Sequence, residues 1–214
     1  MKESKKATFE FNVLAPFYDR MTALFRWRAP KILFEKVRDA AGGKMGSVLD
    51  IGTGTGSLAT LFRDHAYSTG EAVKIAGVDL SLPMLKQGKN KNAAGLLAQA
   101  DITDKHLPFQ DQKFDVVTAS GVLDFVGSLD NLAAEMARVA GNDGIVAVTY
   151  LPAKEGQGRV KKNMGSPLYK YSPDYIAEAF ARAGVKQVTS DTVTAYTHLW
   201  PVKYGVFIGR REPD

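Results

Sequence analysis

From Ser47 to Arg210 the chain alternates short apolar runs with segments whose apolar residues recur every three or four positions. The runs at 47–51, 74–79, 95–100, 114–119, 144–150, 185–193 and 204–210 have the length and content of strands. The segments at 56–66, 82–92, 129–140 and 173–183 carry the spacing of helices with one buried face. Ser81 and Ser128 are predicted N-caps, and Pro173 takes a first helical position after Ser172. Gly141 and Gly184 follow helix ends. Ahead of this block, Pro30 opens a helix that runs through Ala41. It sets Ile32, Leu33, Val37 and Ala40 on one face and ends at Gly42-Gly43. Residues 1–15 show no convincing period, so a mobile segment is expected there.

Alternating strands and helices imply an α/β fold: a mostly parallel sheet with helices on both faces and right-handed crossovers. The last two strands leave no room for a helix between them, so the last one is expected to run antiparallel. The division that follows is a helical cover over 1–43 and one domain over 44–214.

Composition narrows the chemistry. Hydrophobic residues make up 45% of the 214 and charged residues 24%, ordinary for a globular protein. Cysteine is absent, which excludes disulfides, thiolate zinc sites, cysteine-ligated iron–sulfur clusters and a cysteine nucleophile. Met1 to Asn12 holds no apolar core of signal-peptide length, and no run approaches a membrane span, so a cytoplasmic protein is expected. The net charge of +5 is unevenly spread. Residues 1–45 hold ten Lys/Arg against five Asp/Glu, residues 46–153 eight against twelve, and residues 154–170 five against one. Solvated faces account for such a pattern; attraction of an anionic substrate or a membrane surface is the sharper reading.

The richest stretch is Val48-Leu49-Asp50-Ile51-Gly52-Thr53-Gly54-Thr55-Gly56. It reads as a buried strand, a glycine turn and the start of a helix, where backbone amides and the helix N-terminus can meet polar or anionic ligand groups. A dinucleotide fingerprint would place its third glycine where Ser57 stands. Asp50 also disfavours a pyrophosphate and favours a cationic ligand. At the end of the second strand, Asp79 lies 23 residues beyond Gly56, placed to accept two hydrogen bonds from a ribose diol.

This D-x-G-x-G-x-G arrangement resembles the first motif of the class I S-adenosylmethionine-dependent methyltransferases, whose cofactor carries an ammonium and a sulfonium. Ala76-Gly77-Val78-Asp79-Leu80-Ser81, Gln99-Ala100-Asp101-Ile102 and Phe114 to Asp124 follow in the family's order. Leu107-Pro108-Phe109 and Ala15-Pro16-Phe17-Tyr18-Asp19-Arg20 resemble its ubiquinone and menaquinone group. The resemblance covers about residues 44–210 and implies a Rossmann-like seven-stranded sheet. It also implies transfer of a methyl group from S-adenosyl-L-methionine to a small molecule.

Under this resemblance Asp50, Gly52, Thr53, Gly54 and Gly56 hold the methionine end of the cofactor, and Ser120-Gly121 face it. Asp79, with Leu80 and Ser81, takes the ribose; Asp101 and Ile102 take the adenine, with Met84 packed nearby. Tyr18 covers the cofactor. Phe17, Phe25 and Trp27 are candidates for an apolar acceptor pocket. Arg159, Lys161 and Lys162 are candidates for attracting an anionic acceptor group, and Tyr169 and Tyr171 lie beside them.

No metal site is expected, and no general base is assigned among His65, His106 and His198. A D/N-P-P-Y/F motif after the fourth strand is absent, which argues against base amino-methylation, and the acidic central block makes nucleic acid the weaker partner. Two alternatives stand beside this reading. One is a nicotinamide-dependent oxidoreductase, disfavoured by Asp50, by Ser57 and by the lack of a helical Tyr-x-x-x-Lys pair. The other is a binding or regulatory protein of the same fold without turnover.

Overall fold

The computed structural model describes residues 3–43, 45–103, 106–164, 166–196 and 201–213. Helices α1 (Glu3–Leu14), α2 (Tyr18–Leu24) and α3 (Ala29–Ala41) come first, with a single 3-10 turn at Ala15–Phe17 joining α1 to α2. Strand β1 (Ser47–Ile51), helix α4 (Ser57–Thr69), strand β2 (Lys74–Asp79), helix α5 (Leu82–Asn90) and strand β3 (Leu96–Gln99) follow. Then come β4 (Phe114–Ala119), α6 (Asp130–Val139) and β5 (Ala140–Tyr150). A hairpin of β6 (Arg159–Met164) and β7 (Ser166–Tyr171) precedes α7 (Pro173–Arg182), β8 (Val185–Tyr196) and β9 (Val202–Arg211).

The main sheet has seven strands in the order β3-β2-β1-β4-β5-β9-β8. The pairs from β3 to β5 are parallel, and β9 runs antiparallel to both of its neighbours, as expected. Strand alternation divides the core between two faces. Val48, Val116, Ile145 and Ala147 meet Leu33, Phe34 and Val37 of α3 and Leu58 and Phe62 of α4. Leu49, Ile51, Val117, Val146 and Val148 meet Leu132 and Met136 of α6 and Ile176 and Phe180 of α7. Strand order reverses between β1 and β4. Ligands dock at the carboxyl ends of the strands at such a switch point.

Several boundaries differ from the sequence expectation. Residues 3–14 form a helix rather than an irregular segment. Phe9, Phe11 and Val13 hid its period, because this helix carries apolar residues on more than one face. The hairpin β6–β7 occupies a stretch that showed no strand pattern; its charged side chains interrupt the apolar alternation. Ser128 does not cap α6: Leu129 holds the cap position, and the Ser128 hydroxyl reaches the Asp130 carboxylate at 3.3 Å. Gly141 ends no helix by a left-handed turn. Ala140 leaves α6 already extended, at φ −71° and ψ 137°, and β5 begins there. Ser81, Pro173, Gly42 and Gly184 occupy their expected places.

Candidate active site

The turn after β1 is built on left-handed glycines, with φ of 65° at Gly52 and 55° at Gly54. A Cβ at Gly52 would lie 2.3 Å from Val122 Cγ2, so only glycine lets this turn close against the end of β4. At Gly54 a Cβ would meet nothing nearer than the Gly52 carbonyl at 4.0 Å, and both glycines line an open cleft. The amides of the turn are less available than the sequence implied. Thr53 N–H donates to Val78 O at 3.0 Å, Gly54 N–H to Asp79 Oδ2 at 2.8 Å and Gly56 N–H to Thr53 O at 2.8 Å. Protein acceptors engage these three donors. A ligand therefore meets glycine backbone at close range rather than a ring of free amides.

Asp79 closes β2 at the centre of the cleft. Its Oδ1 accepts from Ser81 N–H at 2.8 Å, and its Oδ2 takes the Gly54 bond. A carboxylate has about four acceptor sites, so roughly two remain for a ligand. Burial raises its pKa, against the backbone N–H groups of Ser81, Gly54 and Leu80. Leu80, Ser81 and Met84 line the same wall. The Ser81 hydroxyl caps Met84 N–H at 3.3 Å and donates to Asn12 Oδ1 of α1 at 2.6 Å.

Asp101 and Ile102 form the next part of the wall. Asp101 Oδ1 is held by Thr103 through its N–H at 2.9 Å and its hydroxyl at 2.6 Å. Ser120 and Gly121 complete the far side. Gly121 N–H is fixed to Thr149 Oγ1 at 2.8 Å, whereas Ser120 Oγ is buried without a hydrogen-bond partner. A buried hydroxyl without a protein partner at a cleft wall is placed to bond a polar ligand group. Tyr18 closes the cleft from α2. Burial, then proximity to Tyr196 and Asp79, pushes its phenol up to about 12, so it stays a neutral donor.

Three motif residues do not reach the cleft surface. Asp50 is 2% exposed beneath the turn and accepts from the Thr118 hydroxyl at 3.0 Å. Burial pushes its carboxyl up to about 7. Thr53 is buried, with its hydroxyl unpaired. Gly56 serves packing: a Cβ there would sit 2.3 Å from Ala93 Cβ. The expected role of these three at the methionine end thus becomes support from below rather than contact.

None of the residues singled out for the acceptor lines the cleft. Phe17 is 64% exposed, and Phe25 is exposed as well. Trp27 packs behind Gly121, with ring centres 4.5 Å from Tyr196 and 4.9 Å from Tyr204. Tyr169 is buried, with the Arg159 guanidinium 5.6 Å and the Lys161 ammonium 5.8 Å from its ring centre. Arg159 also donates to Gly127 O. Strand alternation puts Arg159 and Lys161 on one face of the hairpin and Lys162 on the other, so the three do not converge. Tyr171 is buried too, with its hydroxyl donating to Val126 O.

Sequence reasoning missed Thr8, Phe11, Thr103, Val122, Phe125 and Val126, all of which line the cleft. Phe11 and Phe125 meet edge to face across it, 5.2 Å between centres. Only the position of Val122 and Phe125 just after Ser120-Gly121 hinted at them. The histidines give no base in the cleft. His65 stacks edge-on to Phe34 at 5.5 Å, His106 lies 3.4 Å from Glu135, and His198 lies outside the described residues. Among the described residues no group of His, Asp and Glu could hold a metal ion, and no helix is long and apolar enough to cross a membrane.

The fold is that of solved S-adenosylmethionine-dependent methyltransferases. A solved magnesium protoporphyrin IX methyltransferase from Synechocystis PCC 6803, crystallised with S-adenosylmethionine, superposes with a TM-score of 0.73 at 14% identity, covering 99% of this chain and 98% of that one. Residues 49–148 match the methyltransferase domain family. A malonyl-[acyl-carrier protein] O-methyltransferase from Geobacter sulfurreducens is 29% identical over 206 residues, spanning 88% of this chain and 73% of the relative. A ubiquinone/menaquinone biosynthesis C-methyltransferase from Burkholderia mallei is 36% identical over 155 residues, which is 69% of this chain and 60% of the relative. The chain thus spans about three fifths of the quinone-type relative. Residues 49–148 thus carry a methyltransferase domain, and S-adenosylmethionine is its cofactor. The oxidoreductase alternative finds no support.

Proposed function

We propose that the protein methylates a small, largely apolar acceptor. The observation that carries the reading is the cleft at the β1–β4 switch point, where a carboxylate with spare acceptor sites faces an unpaired buried hydroxyl. In this reading Asp79 binds the ribose diol and Asp101 with Ile102 frames the adenine. Gly52, Gly54 and Ser120 take the methionine end. When bound, the cofactor supplies an electrophilic methyl on a sulfonium. The wall of Val122, Phe125, Val126 and Phe11 excludes water beside it and orients an apolar acceptor. Alignment of this kind contributes about 7–11 kcal/mol to a two-partner reaction, so a modest cleft with no histidine among its described lining residues suffices for a good electrophile. Arg159, Lys161 and Lys162 stand away from the cleft and give an anionic acceptor group no partner there.

Calorimetric titration with S-adenosylhomocysteine and with NAD is the first test. The expected outcome is saturable binding of the first and at least about tenfold weaker binding of the second, a gap of about 1.4 kcal/mol. Equal or tighter NAD binding would end the reading. A screen of neutral and anionic aromatic and aliphatic acceptors with labelled cofactor then identifies the substrate class.

A further inference from the structure

The cover carries apolar side chains that the core does not use. Among the described residues ten large apolar side chains stand exposed, and six of them, Phe9, Val13, Leu14, Phe17, Leu24 and Phe25, fall within the first 25 residues. Phe9 is 68% exposed and Val13 60%, one turn apart on α1 and on a different face from Thr8 and Phe11, which line the cleft. Leu24 is 65% exposed at the end of α2, where the chain turns through Arg26 at φ 51°. None of the six lines the cleft. Isolated surface apolar residues are ordinary, but a cluster of this size on one segment marks a contact surface.

Charge selects the contact. Arg20, Arg26 and Arg28 are exposed among these apolar residues. The β6–β7 hairpin packs against α1 through β7, and it carries Arg159 and Lys161 exposed on one of its faces and Lys162 on the other. The acidic part of the sequence is the central block, which builds most of the sheet. We propose that the outer face of the cover, flanked by the basic hairpin, docks on an anionic lipid bilayer. There Phe9, Val13 and Leu24 enter the boundary between head groups and acyl chains while the arginines and lysines remain at the charged surface. This inference concerns a surface outside the methyl-transfer site, and its test reads binding rather than turnover.

The test is flotation of the whole chain with vesicles of phosphatidylglycerol and phosphatidylcholine, and with vesicles of phosphatidylcholine alone. The expected result is binding to the first at least about tenfold stronger than to the second, weakening as salt is raised. The triple variant Phe9→Gln/Val13→Gln/Leu24→Gln should lose at least about tenfold of that binding and keep its affinity for S-adenosylhomocysteine. The retained affinity shows that the variant is folded. No binding to anionic vesicles, or binding that the triple variant leaves intact, would overturn the proposal. So would concentration-dependent self-association in sedimentation velocity that the variant abolishes without any vesicle binding, since the patch would then be an interface between copies.

Discussion

Asp79 ties the glycine turn to the end of β2 and still keeps acceptor capacity for a ligand. Asp79→Ala should therefore weaken cofactor binding by about 1.5–3 kcal/mol, about ten- to 150-fold, and also lower the melting temperature, because the Gly54 and Ser81 amides lose their partner. Calorimetry and thermal denaturation read the two effects separately. The fully buried Asp50 has a different signature. Its native pKa of about 7 lies above that of an unfolded aspartate, near 3.8. The folded state therefore holds the proton more tightly between these values, and its stability falls as pH rises through this window and levels off above it. Asp50→Asn removes that slope. Relative to the parent, the variant should gain up to roughly 4 kcal/mol between pH 4 and pH 8 in denaturant titrations; parallel curves would refute the assignment. At this scale the sequence exposed what neighbours share in the chain, such as the Gly52 to Gly56 turn and the Asp79 to Ser81 corner. It could not expose Thr8 and Phe11, which reach the cleft from a helix whose packing depends on tertiary contacts. Nor could residue type show that Asp50 lies under the turn while Asp79 lies in the open.

The cover is fastened to the nucleotide-binding half by a few polar contacts. Asp19 accepts from the Thr55 hydroxyl at 2.6 Å and pairs with Lys91 at 2.8 Å, and Asn12 accepts from Ser81 at 2.6 Å. Around these bonds the apolar contact of α1 and α2 with the sheet domain is sparse: Phe11 meets Phe125 edge to face at 5.2 Å, and α2 buries no residue fully. Elements held by few buried apolar contacts open at low free-energy cost. Asp19→Ala, or the near-isosteric Thr55→Val, should release the cover by about 1 kcal/mol and raise the cofactor dissociation rate about fivefold. Stopped-flow displacement measures the rate, and hydrogen exchange across residues 8–24 should quicken, while β1 and β4 stay protected. The strands and helices of the central sheet were readable because burial on one or both faces imposes a period. Helices α1 and α2 and the β6–β7 hairpin were not, because their apolar and charged residues answer to neighbours far along the chain.

At the scale of the whole molecule, chemistry and charge are separated. The cleft sits where a sequence block with an acidic excess, residues 46–153, is bridged by a basic, partly apolar cover. The order of β8 and β9 has a consequence for how the chain is built during synthesis. Strand β8 emerges first but lies outermost, and its sheet partner is β9, which slots between it and β5. Residues 47–150 can therefore pair β1 to β5 and shape the glycine turn while β8 still waits unpaired. Until residues 202–211 arrive, the outer flank of β5 and the long β-branched run of β8 stay open to pairing with another chain. The vulnerable interval of this protein's birth is thus the one between the synthesis of β8 and that of β9, after the nucleotide half is in place and before one ten-residue strand zips the edge shut.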